Sequence, residues 1–352
     1  MIKRINDIVC VGTEAGLRLC LSEVINIILT GLTSSSWTVK AQAGAAAHTV
    51  ADKLGCQLGP PHLGMLLTAL VTALPGRTWT GKEALLKAVS VMTVNCRQEL
   101  ETSRDAQPTV DDVVEVMLKE CRKENIVYKM EALQCTSAIL HSYDIDRMRD
   151  IADILLPLLP RSSVEGRSGD VASSALEEAD RDTRLQFQQC AYECVGKCWP
   201  STADGQAAMQ QSIADVLCWP LVSGTWKLQL TALRALQPFV SRLCCLRGTA
   251  DVDDHHDFID AFTDTLFTAL SRTLTNTRYS SVRLESITVA SMVVERLSAC
   301  DRVTVVSQSS WQQLEVSVSG VAETDSQADL RQTASQLLTI IRSHHGVVHD
   351  VS

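Results

Sequence analysis

The chain has 352 residues, of which 45% are apolar and 4% aromatic, and its formal net charge at pH 7 is −9. A chain of this length can form two or three compact domains or one extended repeat array, and its leucine, valine and alanine content favours helix–helix packing. The negative charge argues against a nucleic-acid binder, because contacts to phosphates need clustered lysine and arginine.

The sequence also predicts no targeting segment. No stretch reaches the 18 or more consecutive apolar residues of a membrane span, and residues 1–18 carry too many charges for a secretory signal peptide. Most of the 13 cysteines lie on apolar helical faces, which is typical of reduced thiols that pack as small apolar side chains. We therefore expect neither a transmembrane segment nor a disulfide framework.

Amphipathic helical segments recur in pairs along the chain. The first members of the pairs have apolar residues at helical spacing, in segments 17–31, 62–74, 109–123, 145–159, 206–221, 257–274 and 303–318. The last segment also contains strand-like alternation, but a lone strand would have no partner among helices. Each second member places a cation near its start, and these cations are Lys40, Lys82, Lys129, Arg184, Lys227, Arg283 and Arg331.

The spacing of these cations matches a class of helical repeat. Successive cations are 42, 47, 55, 43, 56 and 48 residues apart, and HEAT or armadillo units repeat at about 40–47 residues. One helix pair cannot bury its apolar face alone, so only stacking closes the core. The sequence therefore predicts an all-α fold, a single α-solenoid of about seven antiparallel HEAT-like helix pairs over residues 1–352.

Two polar segments interrupt the repeat. Residues 161–182 are rich in serine, glycine and acidic residues and are predicted to form a disordered insertion, either a solvated spacer or a phosphorylation cluster. Residues 247–257 are predicted to form a shorter polar loop. In segment 41–50, small apolar residues lie around most of the circumference of the predicted helix, as on a face that a preceding repeat would cover. The helix around 327–343 has one polar side, which suits the end of an array. We therefore expect the chain to be the C-terminal part of a longer solenoid.

One short motif indicates a different function. Residues 76–82, GRTWTGK, are one residue short of the P-loop that binds nucleotide phosphates, so a nucleotide-binding enzyme is an alternative. Glu83 replaces the hydroxyl residue that would bind Mg²⁺, and helical spacing rather than a strand precedes the motif. The preferred interpretation is a capping box in which Thr80 and Glu83 begin a helix.

No other motif points to catalysis or to a bound metal. Cys190, Cys194 and Cys198 are one helical turn apart, but zinc needs four ligands, so a buried stripe of thiols is predicted. The run 253–257 contains histidines and aspartates, but adjacent residues on a helix or strand point apart. We therefore predict no catalytic residue, no cofactor and no metal site, and a protein that is not an enzyme.

The recurring cations and tryptophans are the candidate functional residues. The helix dipole disfavours a cation in the first turn by about 0.3–1 kcal/mol. Because the cation recurs in spite of this cost, we expect each one to have a compensating partner. We hypothesise a ladder in which each cation donates to the neighbouring repeat, and binding of a partner protein is the rival interpretation. For the tryptophans, packing between successive turns is favoured over a row of binding anchors. These residues are Lys40, Lys82, Lys129, Lys227, Arg283, Trp37, Trp79 and Trp226.

Several stretches of the chain resemble one known family. They are 36–42 (SWTVKAQ), 60–70 (PPHLGMLLTAL), 76–88 (GRTWTGKEALLKA), 118–125 (LKECRKEN), 223–230 (SGTWKLQL) and 279–283 (YSSVR). With these stretches the chain resembles the C-terminal region of the proteasome-associated HEAT-like repeat family. The likeness extends from about residue 20 to about residue 345.

The resemblance implies a non-catalytic adaptor and scaffold that binds subunits of the 26S proteasome and links its core and regulatory particles. It further implies a location in the cytoplasm and the nucleus, with no cofactor. It brings no catalytic residues onto this chain. Among binding modules, the alternative is a HEAT or armadillo scaffold for another complex, such as a transport or a phosphatase assembly.

Overall fold

The structure is a computed structural model, and every regular element among the residues it describes is a helix. It describes residues 13–59, 61–102, 108–159, 180–202, 205, 209–242, 252–299 and 306–349, with only the backbone at 242, 252–260 and 344–349. Within these ranges there is no strand, and the predicted all-α fold is confirmed. None of the helices in these ranges combines the length and apolarity needed to cross a membrane.

The described residues form two compact units. The first unit comprises residues 13–145 and 180–190, and the second comprises residues 146–159 and 191–349, each with the gaps given above. The helices of the first unit are α1 (Glu14–Leu19), α2 (Leu21–Leu32), α3 (Trp37–Leu54), α4 (His62–Ala73), α5 (Glu83–Asn95), α6 (Arg97–Thr102), α7 (Val110–Cys121) and α8 (Ile126–Tyr143). The pairs α2/α3, α4/α5 and α7/α8 occupy the first three predicted repeats.

The second unit contains the remaining helices. They are α9 (Met148–Leu155), α11 (Gln210–Ser223), α12 (Trp226–Arg242), α13 (Val252–Leu274), α14 (Ser280–Ala299), α15 (Gln308–Thr324) and α16 (Ala328–His349), while α10 (Arg181–Cys198) contributes residues to both units. Of the segment with strand-like alternation, residues 303–305 lie outside the described residues, and residues 308–318 are helical in α15, as the repeat required. The pairs α11/α12, α13/α14 and α15/α16 occupy the last three predicted repeats.

Within each unit the helices form two layers. In the first unit α2 packs on α4, and α3 packs on α5, which in turn packs on α8. In the second unit α11, α13 and α15 follow one another in one layer, and α12, α14 and α16 do so in the other. In these contacts, first helices meet first helices of the neighbouring pair and second helices meet second helices. A stacked helical repeat closes its core in this way.

The start of α7 shows how local sequence sets a helix boundary. Thr109 Oγ1 accepts the N–H of Asp112 at 3.2 Å, and the Asp112 carboxylate accepts the Thr109 N–H at 3.0 Å. This reciprocal capping box satisfies two N–H groups that the helix leaves unpaired. The hydrogen bonds from Thr109 also hold the pKa of the Asp112 carboxyl below its ordinary value.

The predicted capping box at Thr80 is wrong. Helix α5 begins only at Glu83, and its N-cap is Lys82, which makes no side-chain cap hydrogen bond. The reason is Gly81, whose φ of +98° belongs to a turn and not to a right-handed helix. Glu83 Oε2 instead accepts the Gly81 N–H at 3.1 Å, which closes the turn immediately before the helix.

Parts of the two predicted polar segments belong to helices. Residues 160–179 and 243–251 lie outside the described residues, but α10 begins at Arg181 and α13 at Val252. Asp180 Oδ1 accepts the N–H of Thr183 at 2.7 Å and so caps α10. Acidic residues at a helix N-terminus are favoured by the helix dipole, so polar composition there starts a helix and does not prevent one.

Glycines allow close approach between neighbouring helices. A Cβ atom on Gly196 of α10 would lie 2.9 Å from the Cα of Ala235 in α12, closer than real contacts permit. A Cβ on Gly44 of α3 would lie 3.0 Å from Leu85 Cδ1 in α5. In contrast, a Cβ on Gly320 of α15 would meet nothing within 4 Å among the described atoms.

We expect Gly196→Ala to lower the melting temperature of the chain and Gly320→Ala to raise it. Overpacking at a helix contact costs about 1–3 kcal/mol, which exceeds the roughly 0.5–1 kcal/mol by which alanine is favoured over glycine in a helix. Only the second effect acts at Gly320, which makes it the matched control. Thermal unfolding followed by circular dichroism measures both shifts, and shifts of the same sign would contradict the close approach.

Candidate functional site

A buried ion pair joins two neighbouring helix pairs in the first unit. Lys82 precedes α5 and its side chain is 0% exposed, with Nζ 2.7 Å from Glu120 Oε2 at the end of α7. The Tyr128 hydroxyl donates to the same carboxylate oxygen at 2.7 Å, and Lys82 Nζ lies 5.2 Å from the centre of the Tyr128 ring. Two side chains, Lys82 and Tyr128, therefore donate to one buried carboxylate.

The protonation chemistry of this cluster reflects its burial. Burial lowers the pKa of Lys82, although the hydrogen bond and the charge of Glu120 act against that effect. Burial raises the pKa of Tyr128 well above its ordinary value, and the hydrogen bond to Glu120 adds to the increase. At neutral pH Tyr128 is therefore a neutral hydrogen-bond donor.

The turn that carries Lys82 depends on two glycines and on a lysine of the following helix pair. Gly76 and Gly81 have φ angles of +106° and +98°, a region that glycine enters at little cost. Lys123 Nζ donates to the Gly76 carbonyl at 2.8 Å. These contacts direct Lys82 inward, and helix α4 precedes the turn where a P-loop needs a strand. Residues 76–82 thus do not form a phosphate cradle, because the lysine is held by Glu120.

A second buried ion pair has the same design in the second unit. Arg283 Nε of α14 lies 2.6 Å from Asp325 Oδ2 at the end of α15, and both side chains are buried. Arg283 Nη1 also donates to the Asn276 carbonyl at 2.6 Å, and Arg331 Nη1 donates to the Asp325 carbonyl at 2.6 Å. Burial alone would raise the pKa of Asp325, but hydrogen bonds from Arg283 and the Gln327 N–H bring it below its ordinary value.

Both ion pairs combine two charges that the helix dipoles disfavour. Each cation lies near the N-terminus of a second helix, and each carboxylate lies at the C-terminal end of the next pair's first helix. The sequence identified Lys82 and Arg283 but missed Glu120 and Asp325. The missed signal was an acidic residue in the last turn or cap of the following first helix.

The other predicted cations have different surroundings. Lys40 Nζ lies 5.1 Å from the centre of the Trp37 ring, and Lys227 Nζ lies 5.9 Å from the centre of the Trp226 ring. Lys129 is buried in α8. The hypothesis that all these cations form one repeat ladder stays a prediction. Among the predicted cations, ion pairs with a carboxylate of the next pair are seen in the described residues for Lys82 and Arg283.

The predicted tryptophans stack on the neighbouring pair. The rings of Trp37 and Trp79 are stacked with centroids 5.1 Å apart, and those of Trp226 and Tyr279 with centroids 4.6 Å apart. Such ring pairs contribute about 0.5–1.5 kcal/mol beyond area burial. Trp37 nevertheless stays 46% exposed. We call the turns 33–36, 74–82 and 122–125, with the first residues of α3, α5 and α8, the first-unit rim.

A cleft opens on the first-unit rim between the starts of α5 and α8. Its volume is about 580 Å³, within the range of sites that hold small ligands or side chains. The lining residues are Thr78, Trp79, Thr80, Glu83, Lys87, Asn125, Val127, Tyr128 and Glu131. Lys87 Nζ lies 3.1 Å from Glu131 Oε2. Val127 is 62% exposed at the edge of the cleft.

The cysteines of α10 behave as small apolar residues. Cys190, Cys194 and Cys198 are all buried, as the predicted thiol stripe required. Burial similarly raises the pKa of Cys135 and of Cys218 to about 12. In the part of the chain that the structure describes, no group of three or more metal-binding side chains comes together. The run 253–257 has no described side chains.

Comparison with known proteins places these features in a family. Residues 96–340 match a family model described as "ECM29, C-terminal ARM-like repeats". The "Proteasome adapter and scaffold protein ECM29" of Homo sapiens is 36% identical over 291 residues, which cover 81% of this chain and 15% of that protein. The "Proteasome-associated protein ECM29 homolog" of Drosophila melanogaster is 29% identical over 250 residues, covering 68% of this chain and 13% of that protein.

A solved structure of importin beta has a similar fold. Its TM-score is 0.61 at 9% sequence identity, and the match covers 97% of this chain and 39% of that structure, "Crystal Structure of Importin Beta in a Polyethylene Glycol Condition". At this identity the likeness shows the helical-repeat solenoid fold alone.

We expect Lys82→Ala and Arg283→Ala each to destabilise the chain strongly. Each change leaves a buried carboxylate without its cation, which costs about 3–5 kcal/mol. Lys40→Ala is the matched control, because it removes a cation over a partly exposed ring and should cost only about 0.5–1 kcal/mol. Chemical unfolding measures the three differences, and an unchanged stability of the first two variants would contradict the ladder hypothesis.

We expect the stabilising effect of Asp325 to vanish in acid. Its pKa in the folded chain lies below the ordinary 3.8, so the unfolded chain takes up the proton first as the pH falls. The contribution of Asp325 is therefore complete above its ordinary pKa and is lost as the pH falls through the lower folded value. The stability difference between wild type and Asp325→Asn in urea unfolding should be full at neutral pH and begin to shrink only below about pH 4. A constant difference would contradict this assignment.

Proposed function

Because this chain belongs to the family of ECM29 C-terminal ARM-like repeats, we propose that it is a region of an adaptor and scaffold that binds the proteasome. The observation that carries the proposal is the 36% identity, over 81% of this chain, to a human protein named as a proteasome adapter and scaffold. The chain spans 15% and 13% of the two relatives' lengths, so the proposal concerns the part of the scaffold that this chain covers.

The geometry of the first unit supports a role in binding proteins. A partly exposed Trp37, an exposed Val127 and a cleft between them lie on one rim of stacked helices. Aromatic residues are enriched at binding hot spots, and a rigid scaffold keeps them in place without an ordering cost. The proposed role is non-catalytic, and the buried Lys82–Glu120 pair stabilises the surface without facing a substrate.

The alternative functions have less support. The chain shares the solenoid fold of importin beta at 9% sequence identity, and a likeness at this identity does not support a transport function. The nucleotide-binding alternative needs a lysine that can reach phosphates, whereas the Lys82 side chain is buried against Glu120. Location in the cytoplasm and nucleus, and the lack of a nucleic-acid partner, remain predictions from the resemblance and from the net charge of −9.

We expect the immobilised chain to retain purified 26S proteasome. A HEAT solenoid of similar length from a transport receptor is the control, because it shares the fold but not the family. Retained particles are measured by mass spectrometry of the eluted subunits, from both purified proteasome and cell extract. Failure to retain proteasome subunits in both settings, with a folded chain on the resin, would contradict the proposal.

A further inference from the structure

We propose that the rim cleft of the first unit binds an extended segment of a partner protein through a lysine or arginine side chain of that segment. The proposal rests on the proposed scaffold function, because it names the chemistry of a partner at the same rim. The cleft is the one bordered by Trp79, Glu83, Lys87, Val127 and Glu131.

The shape of the rim suits an extended chain. Helices α3, α5 and α8 follow one another in one layer, and packed helices lie about 8–10 Å apart. Trp37 and Val127 lie in the first turns of the outer two helices of this series. They are therefore separated by about 20 Å, which about six residues of extended chain span. The cleft lies between these two exposed apolar side chains, so a segment anchored on both would pass over it.

The charges of the cleft favour a cation. Two carboxylates, Glu83 and Glu131, line it, and Lys87 is the single cation among the lining residues that the structure describes. Glu83 Oε2 accepts the Gly81 N–H, which holds this carboxylate at the wall. The Lys87 side chain is 47% exposed although its Nζ lies 3.1 Å from Glu131. An exposed pair of this kind is weak, so an incoming cation can replace Lys87 at Glu131.

The aromatic wall adds to the same preference. Trp79 lines the cleft, and indole rings attract cations through their negative faces. The chain already shows this contact elsewhere, since Lys40 lies over Trp37 and Lys227 lies over Trp226. An acidic segment would meet Glu83 and Glu131 instead, and like charges brought together in this way oppose binding.

Three labelled peptides test the proposal directly. Each is a fluorescein-labelled Gly-Leu-Ser-Xaa-Ser-Ser-Ser-Leu-Gly in which Xaa is arginine, glutamine or glutamate, so that the two leucines are six residues apart and share one face with Xaa. Fluorescence anisotropy with the full chain should rank the affinities as arginine, then glutamine, then glutamate. Equal affinities, the reverse order, or no arginine-peptide binding up to about 1 mM would overturn the proposal.

Charge variants of the cleft test whether removing a negative and a positive lining charge changes the peptide affinity in opposite directions. Glu83→Gln and Glu131→Gln should each weaken binding of the arginine peptide about fivefold, whereas Lys87→Ala should strengthen it because the competing cation is gone. Glu101→Gln is the matched control, since Glu101 is an exposed glutamate that pairs with Arg97 away from the cleft. It should leave the affinity unchanged. Melting temperatures show that each variant is folded. Stronger binding by Glu83→Gln or Glu131→Gln, or weaker binding by Lys87→Ala, would overturn the proposal.

The same variants separate this proposal from the proposed function. If the peptides are discriminated as expected but the chain retains no proteasome, the cleft proposal holds and the scaffold proposal fails. If the chain retains proteasome and the cleft variants change neither peptide nor proteasome binding, the scaffold proposal holds and the cleft proposal fails.

Discussion

An ammonium group buried against a carboxylate, Lys82 on Glu120, is the interaction on which the first-unit rim depends. Removing two charges from water is costly, and that cost is offset only when geometry and hydrogen bonding are nearly complete. Here Tyr128 donates to the same carboxylate, and Lys123 fixes the carbonyl of Gly76 at the base of the turn. The charge therefore imposes one conformation on the turn, and the turn positions Trp79 beside the cleft.

The surface above this buried pair has a different character from the pair itself. Lys82 and Glu120 neutralise each other in the interior, so among the lining residues that the structure describes the charge of the cleft is set by Glu83, Lys87 and Glu131. Apolar side chains that a solenoid would ordinarily bury remain accessible beside them. A scaffold benefits from this separation, because interior pairs fix the spacing of its repeats while exterior residues remain available to partners.

Much of the fold could be predicted from the sequence, because helical periodicity depends on residues three or four positions apart. The strand-like alternation in α15 did not mislead, since a strand needs a neighbour that the array does not provide. The start of α5 was misjudged, because the positive φ of Gly81 is a property of the folded turn. The carboxylates Glu120 and Asp325 were missed for a related reason. Each pairs with a cation about 40 residues away, and periodicity within one helix carries no information about such a distance.

The division of each ion pair between consecutive repeats has a consequence for how such an array can evolve. Lys82 belongs to one helix pair and Glu120 to the next, so neither pair is chemically complete by itself. Duplicating, deleting or shuffling a single unit would place an ammonium group beside a neighbour that lacks the counter-charge. The charges of the units therefore restrict the order in which the units can follow one another. A gene rearrangement that preserves the fold of every helix can still be selected against, because it leaves a buried charge unpaired.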